Sequence, residues 1–219
     1  MIKKMDAKSA GHEGAQNIPL LWKDMQHHVR CCICGDSGVG KSTLVHRYMT
    51  DTFGAHLEST IGAAYQQRRV GACTTLHLWD TAGQERYQAL SPMYLRQGDI
   101  VLVTAEAAAP HGAARWIERS REANPRAVLF LVATKLDLAP EAPEAPEAPE
   151  APEAPGLRRW AADHGIQHVH LVSSKTGEGC GDLFEALEQL AQDLGPSCPR
   201  PPAELPSVEA EPTGCCTTS

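Results

Sequence analysis

An acid, a glycine and a glutamine with complementary chemistry stand together in Asp80-Thr81-Ala82-Gly83-Gln84. They follow the alternating segment Thr75-Leu76-His77-Leu78-Trp79, whose period predicts a strand that delivers the acid to a loop. Asp80 can hold Mg²⁺ through a water. Gly83 offers a backbone N–H with no side chain in the way, so a terminal phosphate can approach it closely. Gln84 is placed to orient a water for in-line attack on that phosphate. One short segment therefore combines phosphate sensing with the means to remove the phosphate.

Upstream, Gly35-Asp36-Ser37-Gly38-Val39-Gly40-Lys41-Ser42 is a full match to the phosphate-loop pattern G-x-x-x-x-G-K-S. The run before it, 29–34, is apolar except for Arg30 and reads as a buried strand; the run from Thr43 to Met49 has helical character. In that setting the glycines let consecutive N–H groups of Ser37, Gly38, Val39 and Gly40 point inward. The helix start at Lys41, Ser42 and Thr43 adds a positive dipole end. Lys41 would reach the β- and γ-phosphates. The Ser42 hydroxyl would ligate a Mg²⁺ that keeps several waters. The loop specifies a nucleoside triphosphate without specifying its base.

Two later segments choose the base. Thr134-Lys135-Leu136-Asp137 follows an apolar strand at 128–133. A carboxylate there can accept two parallel hydrogen bonds, from guanine N1–H and the exocyclic amine. Adenine would leave it unpaired. Lys135 can lay its methylene stem along the base. Ser173-Ser174-Lys175, after the last strand, can present backbone N–H to the guanine carbonyl oxygen.

These segments must be positioned by alternating strands and helices. Strands are expected at 29–34, 63–70, 73–79, 100–105, 128–133 and 168–172, and helices at 41–50, 113–123, 157–164 and 183–194, with a loose helix around 84–96. The runs at 100–103 and 128–132 look buried on both faces, as in a parallel sheet covered on each side. The expected fold is a three-layer α/β domain with its ligand at the carboxyl ends of the strands.

The 219 residues suffice for one core with tails. The net charge of −7 is carried entirely by five Glu-Ala-Pro glutamates within 139–155 and by the tail from Pro196. The remainder is neutral and has no basic stripe, so a nucleic-acid partner is not expected. Proline at every third residue of the repeat forbids a regular helix, and a solvated surface insertion is the expectation. The eight cysteines show no paired Cys/His spacing that suggests zinc. Cys31, Cys32 and Cys34 read as small apolar strand residues, in a pattern that fits a reducing cytosol. No apolar run is long enough to span a membrane, so membrane attachment would have to be covalent. The division that follows is an extension at 1–25, a domain at 26–195 and a flexible tail at 196–219.

With these elements in order, the chain from Val29 to Leu194 resembles the small Ras-like GTPases and, among them, the Rab family. Glu58-Ser59-Thr60-Ile61-Gly62-Ala63-Ala64-Tyr65 is similar to the first switch of the early-endosomal Rab branch. Gln84-Glu85-Arg86-Tyr87-Gln88-Ala89-Leu90-Ser91-Pro92-Met93-Tyr94 is similar to its second switch. The resemblance implies a P-loop GTPase fold with a mostly parallel six-stranded sheet, binding GTP or GDP with Mg²⁺. It implies that Thr60 completes the Mg²⁺ sphere only in the triphosphate state and that Phe53 stacks on guanine from the edge. It also implies that Tyr65, Trp79 and Tyr94 form the aromatic cluster read by partners. Departures are Thr134 where the family usually has Asn, which removes a side-chain amide that ties this loop to the base and phosphate loop, together with Ser174 for Ala and Glu106 for Asp.

Cys215 and Cys216, near the end of the tail, read as a prenylation site. An acidic tail with a single lipid anchors marginally, which favours two geranylgeranyl groups over one farnesyl group. The implied activity is slow, Mg²⁺-dependent GTP hydrolysis by a monomeric switch cycling between cytosol and endosomal or other vesicle membranes. Its implied partners are an exchange factor, a GTPase-activating protein, prenyl-delivery and membrane-extraction chaperones, and switch-binding effectors. A nucleotide-gated scaffold with weak or lost hydrolysis is the alternative. A small-molecule P-loop kinase is disfavoured by the guanine loops and the double-cysteine tail.

Overall fold

Strand β1, His27–Gly35, sets the layering by alternation. Val29, Cys31 and Ile33 turn to one face of the sheet, and Cys32 and Cys34 to the other. A computed structural model describes residues 26–84, 91–139 and 154–195. The extension at 1–25, second-switch residues 85–90, most of the Glu-Ala-Pro repeat and the tail with Cys215 and Cys216 lie outside the described residues.

Helix α1, Lys41–Thr50, buries Lys41, Leu44, Val45 and Tyr48, a stripe at helical spacing. β2, Ala63–Val70, and β3, Thr74–Thr81, form an antiparallel pair, with β2 at the sheet edge and exposed along most of its length. A short α2, Ser91–Gln97, precedes β4, Ile100–Glu106; α3, Ala114–Ala123, precedes β5, Val128–Thr134. α4, Ala154–Asp163, leads to β6, His168–Leu171, and α5, Cys180–Leu194, closes the domain.

The six strands run in the order β2-β3-β1-β4-β5-β6, and every neighbouring pair except β2–β3 is parallel. This is the expected three-layer α/β architecture. Leu44, Val45 and Tyr48 of α1 join Leu183 and Leu187 of α5 on one face. Leu95 of α2, Trp116 and Ile117 of α3, and Leu157 and Ala161 of α4 cover the other. β4 and β5, apolar along nearly their whole length, take the doubly covered centre. Cys31, Cys32, Cys34 and Cys180 are free, buried thiols. No described helix is long and apolar enough to cross a membrane.

The boundaries differ from expectation in instructive places. β3 continues through Asp80 to Thr81, because both residues pair with Ala64 and Ala63 of β2; the acid therefore sits on the strand rather than on the loop after it. α4 begins at Ala154, so Pro155 occupies a first-turn position that needs no backbone N–H donor. α5 starts three residues earlier than expected, its buried face running Cys180, Leu183, Leu187, Ala191. Of the helix expected around 84–96, the described part is α2.

Candidate nucleotide site

The parallel strands end at one edge of the sheet, and each delivers a loop there. β1 ends at Gly35, whose closeness to β4 leaves no room for a side chain: a Cβ would lie 2.3 Å from the Thr104 carbonyl and hydroxyl oxygens. The chain turns through Gly38 (φ 81°) and Gly40 (φ 94°), both left-handed, into the start of α1. Ser37, Gly38, Gly40, Lys41, Ser42 and Thr43 line a cavity of ≈ 170 Å³, closed from the other side by Thr60, Gly83 and Gln84. Nine of the residues singled out by sequence thus surround one space.

Lys41 is buried, and its ammonium donates to the carbonyls of Gly35 at 3.0 Å and Asp36 at 2.7 Å. Burial pulls its pKa below that of an ordinary lysine, opposed chiefly by the Asp80 carboxylate. Gly83 lies directly above: a Cβ there would meet Lys41 Nζ at 2.4 Å and the Asp36 carbonyl at 2.5 Å.

Ser42, Thr60 and Asp80 converge from three elements. Ser42 Oγ donates to Asp80 Oδ2 at 2.5 Å and lies 2.9 Å from Thr60 Oγ1, which itself donates to Asp80 Oδ2 at 3.2 Å. The other carboxylate oxygen, Asp80 Oδ1, is buried without a hydrogen-bond partner among the described residues. Burial raises the Asp80 pKa, held back by the Ser42 bond, the Lys41 charge and the Thr60 bond. An orphaned carboxylate oxygen beside two hydroxyls is a hard, all-oxygen donor set, the kind that Mg²⁺ takes. The residues present fit the ion.

The base-recognition segments meet at the next loops. Asp137 Oδ1 accepts from Ser173 Oγ at 2.5 Å, and Lys175 Nζ lies 3.9 Å from Asp137 Oδ2. Lys135 adopts a left-handed conformation (φ 57°), and its Nζ donates to Glu106 Oε1 at 2.5 Å. Thr134 corrects an expectation. Its hydroxyl is 2.5 Å from the Val39 carbonyl and 3.0 Å from that of Ala105, so it keeps the tie to the phosphate loop that replacement of Asn was expected to remove.

Outside the site, Tyr65 and Trp79 pack with ring centroids 5.4 Å apart. Tyr94 makes no ring contact with either and packs instead against the core beneath α2. His77 takes the third place: its Nδ1 is 2.6 Å from Tyr65 Oη, and its ring stacks on Trp79 at 6.0 Å. The rings that meet here are Tyr65, Trp79 and His77, with His28 packed on His77 at 4.9 Å. Phe53 is 43% exposed and does not line the phosphate cavity.

Two contacts were invisible to motif reading. The Asp36 carboxylate accepts from the Trp116 indole N–H at 2.6 Å and from Arg115, fixing the phosphate loop to α3. Burial pushes the Asp36 pKa up, but these bonds and the Arg115 and Lys41 charges outweigh it and hold the group below the usual carboxylate value. Arg47 of α1 donates to the carbonyls of Ser174 and Lys175. Asp36 falls on a variable position of the phosphate-loop pattern, and its partners lie some eighty residues away. Arg47 lies just beyond the pattern, and its only sequence signal was an arginine in the last turn of a phosphate-loop helix.

The Roc family (Ras of Complex, Roc, domain of DAPkinase) matches residues 30–137. GTP-binding protein ypt5 of Schizosaccharomyces pombe is 38% identical over 163 residues, covering 71% of this chain and 74% of its own length. GTP-binding protein YPT52 of Saccharomyces cerevisiae is 31% identical, covering 74% of this chain and 81% of its own. Ras-related protein Rab5 of Nicotiana tabacum is also 31% identical, covering 87% and 96%.

Proposed function

The chain belongs to the Rab family of Ras-like GTPases, which bind and hydrolyse GTP, and on that premise we propose a residue-level account of its switch. The observation that carries it is the convergence of Ser42, Thr60 and Asp80 beside Lys41 and Gly83, around one cavity at the start of α1. Ser42, Thr60 and, through water, Asp80 would hold Mg²⁺. When bound, the ion neutralises charge developing between the transferred and leaving phosphates.

This chain's own groups bind, orient and sense. The N–H groups of the phosphate loop and the N-terminus of α1 take the β-phosphate oxygens, and the Lys41 ammonium reaches from the β- to the γ-phosphate. Gly83 presents its N–H to the γ-phosphate. Gln84, at the cavity wall, holds the attacking water in line. Asp137 reads the N1–H and amino edge of guanine, Lys135 covers one face of the base, Phe53 approaches from the edge, and the Ser173-Ser174-Lys175 backbone takes the carbonyl oxygen. Loss of the γ-phosphate removes the attraction on Thr60 and Gly83 and releases both switch segments.

We assign GTP hydrolysis over a purely nucleotide-gated scaffold because Gln84 borders the same cavity as Lys41 and Ser42. The Thr134 hydroxyl's tie to Val39 also weakens the case that replacement of Asn makes for the scaffold reading. Attachment to endosomal membranes through prenyl groups on Cys215 and Cys216, regulation by an exchange factor and an activating protein, and effector binding at Tyr65, Trp79 and His77 complete the proposal. Nucleotide released from purified protein is expected to be GDP or GTP; adenine nucleotide alone would overturn the base assignment. Intact mass of membrane-extracted protein should show two geranylgeranyl additions, and a single farnesyl addition would refute the double modification.

A further inference from the structure

Arg47 projects from the last turn of α1, and its side chain is only 12% exposed. Its donors are spent on backbone carbonyls: Nε on Ser174 at 2.9 Å, one terminal nitrogen on Lys175 at 3.0 Å and the other on Asp51 at 2.8 Å. The first two belong to the loop after β6. A planar trans peptide points its N–H opposite to its C=O, and no peptide among the described residues is cis.

Turning the Ser174 carbonyl toward Arg47 therefore turns the Lys175 N–H away from it. The preceding peptide is set in the same way, because the Ser173 carbonyl accepts from Gly177 N–H at 2.8 Å and from Cys180 Sγ at 3.4 Å. That directs the Ser174 N–H to the opposite side. The next donor along, Thr176 N–H, is taken by Ser173 Oγ at 3.1 Å. Ser174 and Lys175 thus keep backbone N–H groups with no acceptor among the described residues, although Ser174 is only 8% exposed. At Ser174, a buried residue, an N–H without a protein partner is uncommon and costly unless a ligand takes it; Lys175 is exposed.

We propose that Arg47 is a positioning residue for guanine recognition. By holding the Ser174 and Lys175 carbonyls, it aims the Ser174 and Lys175 N–H groups at the carbonyl oxygen of the base. It touches no part of the nucleotide itself. The inference rests on the guanine reading given above. It also links α1, whose first turn holds the phosphates, to the loop that reads the base, so the two ends of the nucleotide share one rigid support.

The test measures binding of GDP, ADP, 6-thio-GDP and IDP to the wild-type chain and to Arg47→Gln and Arg47→Lys. 6-Thio-GDP puts a weaker, larger acceptor at the 6-position and keeps the exocyclic amine. IDP removes only the amine read by Asp137. In the wild-type chain GDP should bind more tightly than all three analogues. Arg47→Gln should lose about tenfold in GDP affinity. Its GDP/6-thio-GDP ratio should fall toward one, while its GDP/IDP ratio stays at the wild-type value. Arg47→Lys keeps the charge but cannot span two carbonyls, and should fall between; it carries the test if the glutamine variant does not fold. An equal fall in both ratios would mean that Arg47 merely supports the fold and would overturn the proposal, as would unchanged ratios in both variants. A wild-type chain that binds ADP as well as GDP would instead overturn the guanine reading.

Discussion

The Thr134 hydroxyl reaches the carbonyl of Val39 at 2.5 Å, joining the segment that reads the base to the loop that holds the phosphates. Val39 stands between the two left-handed glycines of that loop, and Thr134 is the last residue of β5, immediately before Lys135. This buried hydrogen bond is thus one direct tie between the base and phosphate subsites. A hydroxyl has a single proton, so Thr134 serves either Val39 or the Ala105 carbonyl at 3.0 Å at any instant.

Thr134→Val keeps the branched shape and removes the donor. Leaving a buried carbonyl unpaired costs about 1–3 kcal/mol. Part of that should appear as faster release of GDP, by about tenfold, measured with a fluorescent GDP analogue in the presence of Mg²⁺. Thr134→Ser retains the proton and should restore slow release. If the valine variant releases GDP at the wild-type rate, the hydroxyl does not couple the two loops.

Gln84 is the residue whose replacement should separate binding from chemistry. Gln84→Leu keeps the bulk at the cavity wall but cannot orient water through an amide. Single-turnover hydrolysis with Mg²⁺ and an activating protein should slow by about 10²-fold or more, with GTP affinity retained. Normal turnover in that variant would remove Gln84 from the mechanism.

Gly83 faces a stricter constraint, because a methyl group there would sit 2.4 Å from Lys41 Nζ and 2.5 Å from the Asp36 carbonyl. Both neighbours are held in place: Lys41 by two loop carbonyls, and Asp36 by Trp116 and Arg115. In Gly83→Ala the loop after β3 has to withdraw from the phosphate loop. Binding of GDP should persist while the GTP-bound chain fails to engage effectors at Tyr65, Trp79 and His77. Effector capture by Gly83→Ala at wild-type strength would show that the loop closes without this approach.

The parts legible in the sequence were those whose chemistry lies within a short stretch. The phosphate loop, Asp80 with Gly83 and Gln84, and the two guanine segments are each local patterns, and apolar runs at 29–34 and 128–133 with alternation at 75–79 marked strands that carry them. The parts that were not legible depend on where distant segments meet. Asp36, just after β1, finds Trp116 of α3, and Arg47 finds the loop after β6. Thr134 read as a loss, because a residue type shows which amide is missing but not that a shorter hydroxyl can reach the same loop. Tyr94 was expected to join Tyr65 and Trp79, but α2 turns its ring to the core, and His77, two residues before Trp79 on β3, fills the place. The period-2 pattern put His77 on the same face as Trp79, yet nothing in it said that Tyr65 would hydrogen-bond to a histidine.

The histidines also give the fold a pH dependence whose sign follows from their surroundings. His77, His168 and His170 all have pKa values below the ordinary 6.5. Burial is the first cause in each case, joined at His77 by His28 and Arg30 and at His170 by His168 and Arg158, with Asp182 opposing the shift at His170. His168 and His170 both stack on Phe130, with centroids at 4.3 Å and 5.7 Å, and a charged imidazole there would be poorly solvated. A histidine whose folded pKa is depressed binds fewer protons in the native state than in the unfolded chain over the interval between the two values. Its contribution to stability is then full above about 6.5 and declines as pH falls through that interval. The melting temperature of the wild-type chain should therefore be lower at pH 5.5 than at pH 7.5. A variant with glutamine at 77, 168 and 170 should show a smaller difference. Comparing the two proteins at each pH cancels the contribution of Asp80, whose raised pKa acts in the opposite direction. An identical pH dependence in both would mean that these three imidazoles titrate in the fold as they do in water.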